Sequence, residues 1–400
     1  MNKKQLVLVA FVCAILVAAG AVLVLRDAGK WQSGPEASHA KLLPGFDVNS
    51  VAKVVVQDKS GKSGVAKVDG KWQVEDKSGY PADFNKVKGA LLELSELSVA
   101  RREEVGPSQM GRLELLRPGE GEPSGTLVEC FSLDGKKLLS LLLGKNHLAK
   151  PDQSPSPYMG MGGAGYPDGR YVAVLGGKAD VALVSNPLRS LSPGAAAWLD
   201  KEFLKMPDVK SVELQGQDGW RLSRKDKAGK FAVEGVKAGE EELADKVGEL
   251  GGAFGYFYFS DVSPDTGVAA DAKARKLAVE TFDGFKYELA VVPGSGKASL
   301  AVRVAFEPPK ARQAGKDEKP EDKAKLDKEF AEAQAQLKER FGKEKFFEKW
   351  AFVIPEYKAS SLLKKRSELV QKKGEASAAA KPAAKAAGKP AIKFGMPKAK

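Results

Sequence analysis

The chain repeats itself, and that limits its possible folds more than any other feature. The stretch "GKWQVE" beginning at Gly70 returns as "GKFAVE" at Gly229. Around the first, "VAKVVVQ" (Val51 to Gln57) reads as a strand, and "GVAKVDGKWQVE" reads as a hairpin turning at Asp69-Gly70. An Asp-Gly pair supplies the positive φ angles that a tight type I′ turn requires. "YPADFNKVKGALLELSEL" reads as a helix, with Pro81 near its start and Val87, Leu91, Leu94 and Leu97 at helical spacing. "GTLVECFSLDGKKLLSLLLG" is a second hairpin, turning at Asp134-Gly135, and "RYVAVLGG" is a closing strand. The second half returns the same order: "VKSVELQGQDGWRLSR" with "GKFAVEG", then "GEEELADKVGELGGAF", then "VETFDGFKYELAVV" turning at Asp283-Gly284. Last, "KWAFVIPEYKASSLLKKRSEL" answers "RYVAVLGGKADVALVSNPLRSL". So long a period indicates a duplicated domain, because solenoids repeat about every 20–50 residues.

Each copy reads β-β-β-α-β-β-β with a short closing helix, so the expected class is α+β with mostly antiparallel sheet. The expected domains are 46–205 and 206–369, preceded by an anchor (1–28) and a linker (29–45), and followed by a disordered tail (370–400). Trp72 and Phe231 are expected at equivalent buried positions. In "FKYELAVV", Phe285, Tyr287, Leu289 and Val291 alternate with Lys286, Glu288 and Ala290, the pattern of a strand with one wet face. "GYFYFS" carries Tyr256 and Tyr258 on one face and Phe257 and Phe259 on the other. It reads as a strand packed on both sides, with an aromatic ligand platform as the alternative.

Two segments break the symmetry, and both are expected before the final strand of their copy. One is "NHLAKPDQSPSPYMGMGGAGYPDG", in which Tyr158, Met159, Met161 and Tyr166 suit protein contact. The other is a charged insertion at about 308–345, where Leu326, Phe330, Ala333, Leu337 and Phe341 recur at helical spacing. That amphipathic helix either lies back on its own domain or forms a short coiled coil with a partner. The candidate partner-binding residues are therefore Tyr158, Met159, Met161, Leu326, Phe330, Leu337 and Phe341.

Leu6 to Leu25, "LVLVAFVCAILVAAGAVLVL", is an unbroken apolar run. At roughly 1.5 Å per residue it spans about 30 Å, the thickness of a bilayer's hydrocarbon core. Lys3 and Lys4 before it place the N-terminus in the cytoplasm and the bulk of the chain in the periplasm, as a single-pass inner-membrane protein. A signal peptide cleaved at "AAGA" is the rival, but the run continues apolar through Leu25, longer than a usual signal core. The formal net charge is +12. From Val370 onward there are eight Lys and one Glu, so the body is close to neutral and no nucleic-acid partner is expected. The two cysteines, Cys13 in the apolar run and Cys130 in a strand, offer no disulfide framework. The oligomeric state leaves no mark in the sequence.

No catalytic, cofactor or metal set emerges, and the chain reads as a non-enzyme. Gly160, Gly162 and Gly165 spell G-x-G-x-x-G, but they follow "SPSPY" and lead into a strand. A dinucleotide site needs that motif after a strand and at the start of a helix. The only histidines are His39 in the linker and His147 at the root of the Met- and Tyr-bearing loop. Neither has Cys, His or clustered carboxylates at ligand spacing. Carboxylates brought together by folding are the remaining route to catalysis.

Several short motifs carry a family likeness. The hairpin at Lys71-Trp72, "YPAD" (Tyr80 to Asp83) leading a helix toward "LLEL", "RYVAVLGG" followed by "VALVSNPLRSL", and "WLDKEFLKM" opening the second copy resemble the bacterial domain of unknown function 4340 family. "DKEF" departs from the arginine-bearing form expected there. The likeness runs from about Phe46 to Leu369. It implies a membrane-anchored extracytoplasmic accessory component, of the kind encoded beside gliding-motility-like ABC transporters, and brings no catalytic residues with it. The expected function is accessory or scaffold protein of an ABC-type transport system, with transporter subunits as partners. The alternative is an envelope-binding protein whose cationic tail engages an anionic polymer or lipid surface, an attraction screened within about 8 Å at physiological salt.

Overall fold

The Asp-Gly pairs turn the chain where their chemistry allows it. Asp69 and Gly70 have φ of 48° and 79°, and Gly135 and Gly284 have φ of 83° and 93°. The computed structural model describes residues 40–148, 167–176, 180–309, 312 and 320–374, without the side chains at 320 and 321. The chain divides between Lys201 and Glu202 into two units.

Unit 1 comprises β1 (Lys53–Asp58), β2 (Gly61–Val68), β3 (Lys71–Val74), β4 (Tyr80–Pro81), α1 (Phe84–Ser95), β5 (Val99–Glu103), β6 (Thr126–Phe131), β7 (Lys137–Leu148), β8 (Pro167–Val174), β9 (Asp180–Val184) and α2 (Ala195–Trp198). Its strands form one sheet in the order β4-β3-β2-β1-β6-β7-β8-β9-β5, antiparallel at every pairing. Helix α1 starts where Asp83 accepts hydrogen bonds from the amides of Asn85 and Lys86, satisfying donors that a helix start leaves open. It buries Val87, Ala90, Leu91 and Leu94, and each leucine so buried contributes about 1.5–3 kcal/mol.

Unit 2 comprises β10 (Val209–Leu214), β11 (Trp220–Ser223), β12 (Ala232–Val233), β13 (Glu240–Glu242), α3 (Ala244–Ala253), β14 (Asp261–Pro264), β15 (Arg275–Thr281), β16 (Phe285–Pro293), β17 (Lys297–Phe306), α4 (Pro320–Lys345), β18 (Trp350–Pro355), α5 (Glu356–Leu362) and β19 (Val370–Lys372). Its main sheet runs β12-β11-β10-β15-β16-β17-β18-β14, and β13 pairs separately with β19. Along β16, Phe285, Tyr287, Leu289 and Val291 are buried while Lys286 and Glu288 are exposed. The class is α+β with mostly antiparallel sheet, as the alternation of strands around single helices led one to expect.

Several details depart from the sequence reading. In chain order five strands follow α1 and six follow α3, not three. Strand β5 (VARRE) shows no alternation of polarity, and β9 (DVALV), β14 and β17 are further strands beyond those the sequence predicts. The two insertions do not share a place. The segment between β7 and β8 contains the Met- and Tyr-bearing loop, whereas α4 lies between β17 and β18. In the runs β6-β7-β8-β9-β5 and β15-β16-β17-β18-β14, these are successive hairpins, and successive antiparallel hairpins turn at opposite ends of a sheet.

Trp72 and Phe231 are half-buried, and the inward positions belong to Val74 and Val233 two residues on. "GYFYFS" is extended but forms only an isolated bridge, between Lys205 and Tyr256. Residues assigned to the linker join unit 1: Leu42 and Leu43 are buried, and the Leu42 amide donates to the Leu97 carbonyl. Val370–Lys372, assigned to the tail, form β19. No helix among the described residues is long and apolar enough to cross a membrane. The run from Leu6 to Leu25 lies outside them, as do residues 375–400.

Candidate functional site

After α3 the chain runs extended, so alternate side chains point to opposite sides. Phe257 and Phe259 turn inward, and Phe259 meets Phe203 and Phe352 at ring-centroid distances of 5.2 and 5.0 Å. Tyr256, on the other side, is 60% exposed, and Tyr258 is half-buried. Tyr357, from the first turn of α5, is 67% exposed and extends the row. The centroids lie 6.2 Å apart from Tyr256 to Tyr258 and 6.3 Å from Tyr258 to Tyr357. These three rings form an exposed aromatic row built from two separate segments.

Lys358 anchors this row from behind. It is only 8% exposed. Its Nζ donates to the Ala253 carbonyl, at the end of α3, and at 2.7 Å to the Tyr256 carbonyl. It also lies 4.6 Å from the Phe257 ring centroid. A cation at a helix C-terminus offsets the negative end of the helix dipole and gives open carbonyls a donor. Burial nevertheless lowers its pKa to about 8.

The insertion helix α4 is held at its C-terminal end by a buried polar cluster. Arg340 donates from Nε to Glu344 at 2.8 Å, from Nη1 to Asp283 at 3.1 Å, and from Nη2 to the Lys205 carbonyl at 2.6 Å and the Tyr287 hydroxyl at 2.8 Å. Its guanidinium sits 4.3 Å from the Phe285 ring centroid. The Tyr287 hydroxyl donates to Glu344 at 2.7 Å, and the Thr281 hydroxyl donates to Asp283. Burial opposes the charge on Arg340, but its bond to Glu344 and the nearby Tyr287, Glu344 and Asp283 outweigh that and raise its pKa. Burial, reinforced by the Glu344 charge, pushes the Tyr287 phenol above its ordinary range.

Leu326, Phe330, Leu337 and Phe341 are each half-buried, and Phe341 meets Phe306 of β17 at 5.8 Å. Asp327 accepts from Nε of Arg312 at 3.0 Å. The last turns of α4 therefore lie back on their own unit, one of the two arrangements the apolar stripe allowed. The candidate residues Tyr158, Met159 and Met161, with Tyr166 and the three loop glycines, lie outside the described residues.

Elsewhere the candidate chemistry is sparse. His147 Nδ1 lies 2.7 Å from Asp168 Oδ1, across the neck of the β7–β8 hairpin, and its ring meets Tyr171 edge-on at 6.5 Å. Cys130 is fully buried in β6, and burial pushes its thiol up to about 12. Among the described residues, no three His, Cys, Asp or Glu side chains are grouped to hold a metal ion. Sequence reading singled out Tyr256 and Tyr258 but missed Tyr357 and Lys358, which join them only through the placement of α5. It also missed Arg340 and Glu344, whose i,i+4 spacing is that of an ordinary surface pair.

No curated protein matches the chain, and no solved structure matches it. The model of the family described as Domain of unknown function (DUF4340) matches residues 72–251, from β3 into α3 and across the division between the units. That span takes in the "YPAD", "RYVAVLGG" and "WLDKEFLKM" motifs, and over it the chain is similar to the DUF4340 family.

Proposed function

We propose that the protein is a membrane-anchored extracytoplasmic scaffold, non-catalytic, that binds protein partners belonging to an ABC-type transport system. The observation that carries the binding role is the row formed by Tyr256, Tyr258 and Tyr357. Tyrosine combines a rigid apolar ring with a polar tip at little entropic cost, and it is enriched where proteins meet. The anchoring role is supported by the bilayer-length run from Leu6 to Leu25, with Lys3 and Lys4 before it. The transport association rests on the family resemblance.

In this reading the two units are copies of one duplicated domain. The strand orders support it: β3-β2-β1-β6-β7-β8-β9-β5 in unit 1 runs as β12-β11-β10-β15-β16-β17-β18-β14 does in unit 2.

A photo-crosslinking amino acid at Tyr357, introduced into the full chain in its native membranes, tests the proposal. The expected product is a crosslink to an integral or peripheral subunit of a transporter, weakened by Tyr256→Ser. Absence of any such adduct, with the chain at its normal level in the membrane, would overturn the reading. The charge of the tail favours a second reading, attachment to an anionic envelope polymer. It predicts that removal of residues 375–400 releases the chain from cell-wall or anionic-lipid fractions.

A further inference from the structure

We propose that the chain's own C-terminal tail docks on the tyrosine row, laying a Lys-Pro-Ala-x-Lys motif along Tyr256, Tyr258 and Tyr357 and competing with the partner for that surface. The proposal deepens the partner-binding reading and rests on it. The chain continues for 26 residues past Gly374, and the motif occurs there twice, as "KPAAK" (Lys381 to Lys385) and "KPAIK" (Lys389 to Lys393). A proline fixes its own φ and restricts the residue before it to extended or polyproline II backbone. Polyproline II has roughly three residues per turn, each rising about 3.1 Å. The proline of each motif and the lysine three positions on therefore share a face, about 9 Å apart.

The row accepts that spacing. Its steps of 6.2 and 6.3 Å leave the first and third centroids no more than about 12.5 Å apart. A proline seated at Tyr256 and Tyr258 puts its lysine at Tyr357, whose ring face attracts a cation. The backbone beneath the row is already paired: the Tyr256 carbonyl accepts from Lys358, and the Phe257 amide donates to the Leu204 carbonyl. An added β-strand would find no open ladder at these groups, whereas a polyproline II segment needs none. Such a segment leaves its own carbonyls open. None of the three tyrosine hydroxyls has a partner among the described residues, so each is free to donate to one.

The tail is long enough to reach. The Lys373 amide donates to the Gly239 carbonyl. From Gly239 to Tyr256 the chain runs through β13 and the ten residues of α3, a path of at most about 45 Å. The second motif begins fifteen residues past Gly374, about 50 Å when extended. A segment tethered in this way is present at an effective concentration of about millimolar. A contact too weak to hold a free peptide therefore still fills the row.

A photo-crosslinking amino acid at Lys205, exposed and paired across from Tyr256, tests this in the full chain purified in detergent micelles. Mass spectrometry should find the adduct on residues 381–393, and within one chain when isotopically light and heavy copies are mixed. Lys385→Glu with Lys393→Glu should lower its yield about two- to fivefold, the ratio that one exposed cation–π contact carries. Pro382→Gly with Pro390→Gly should lower it as well, because the segment loses its preset backbone. These changes lie beyond β19, so the thermal transition should stay in place. In native membranes, removal of residues 375–400 should raise the transporter adduct at Tyr357. Absence of a tail adduct, an adduct only between copies, or a yield indifferent to both pairs of changes overturns the proposal. So does a transporter adduct that the removal leaves unchanged. A transporter adduct at Tyr357 without any tail adduct loses this proposal alone, and the reverse result loses only the transporter assignment.

Discussion

The amine of Lys358 should make unit 2 more stable as the solution becomes alkaline, against the usual trend for a lysine held by a partner. Nothing carboxylic offsets its burial: its hydrogen bonds go to the carbonyls of Ala253 and Tyr256. Burial takes its pKa from the ordinary 10.5 to about 8. In the unfolded chain the amine keeps its ordinary value, so between pH 8 and 10.5 the unfolded state binds more protons. Stability must then rise with pH across that window. The full span is about 3 kcal/mol, and the part between roughly pH 7 and 9.5 is about 2 kcal/mol.

Lys358→Met keeps the apolar stem, removes the titration and leaves every other ionisable group in place. Denaturant unfolding of chain and variant at the two pH values yields a double difference in which other titrations cancel. The chain should gain about 2 kcal/mol on the variant, or several degrees of melting temperature for a domain of this size. The offset at either pH is less informative, because the variant also leaves two carbonyls without a donor, at about 1–3 kcal/mol each. A difference that stays constant with pH, or moves the other way, would refute the assignment of a buried, carboxylate-free ammonium.

Three further outcomes follow from the packing. Arg340→Met should destabilise unit 2 by about 3 kcal/mol, because Asp283 and Glu344 lose the cation that offsets their burial; calorimetry showing a loss no larger than that of an exposed pair would contradict this. Gly251→Ala should cost about 1–3 kcal/mol, since a Cβ there overlaps the Phe231 ring, and Phe231→Leu should recover part of it in thermal melts. Cys130 should resist a maleimide at pH 8 in the native chain and react once unfolded, because burial keeps its thiol protonated; native labelling detected by mass spectrometry would show that β6 opens.

The local part of this structure was legible in the sequence. Asp69-Gly70 turns because two adjacent residues tolerate positive φ, and α1 forms because Val87, Leu91 and Leu94 recur on one face behind the Asp83 cap. Phe285 to Val291 announces a strand through a period of two. These features depend on neighbours a few positions away, so composition and spacing are enough to determine them. Strands β5 and β14 escaped notice because they are short edge strands whose patterns carry little periodicity, and only their partners β9 and β18 define them.

The polar interior was decided by tertiary structure alone. Arg340 meets Asp283 across 57 residues, and Lys358 reaches the Ala253 carbonyl across 105. Read locally, both are solvated side chains on helices. The cost of burying a charge, and the partner that offsets it, are set by whichever distant groups the fold brings within about 3 Å. No local pattern encodes that distance.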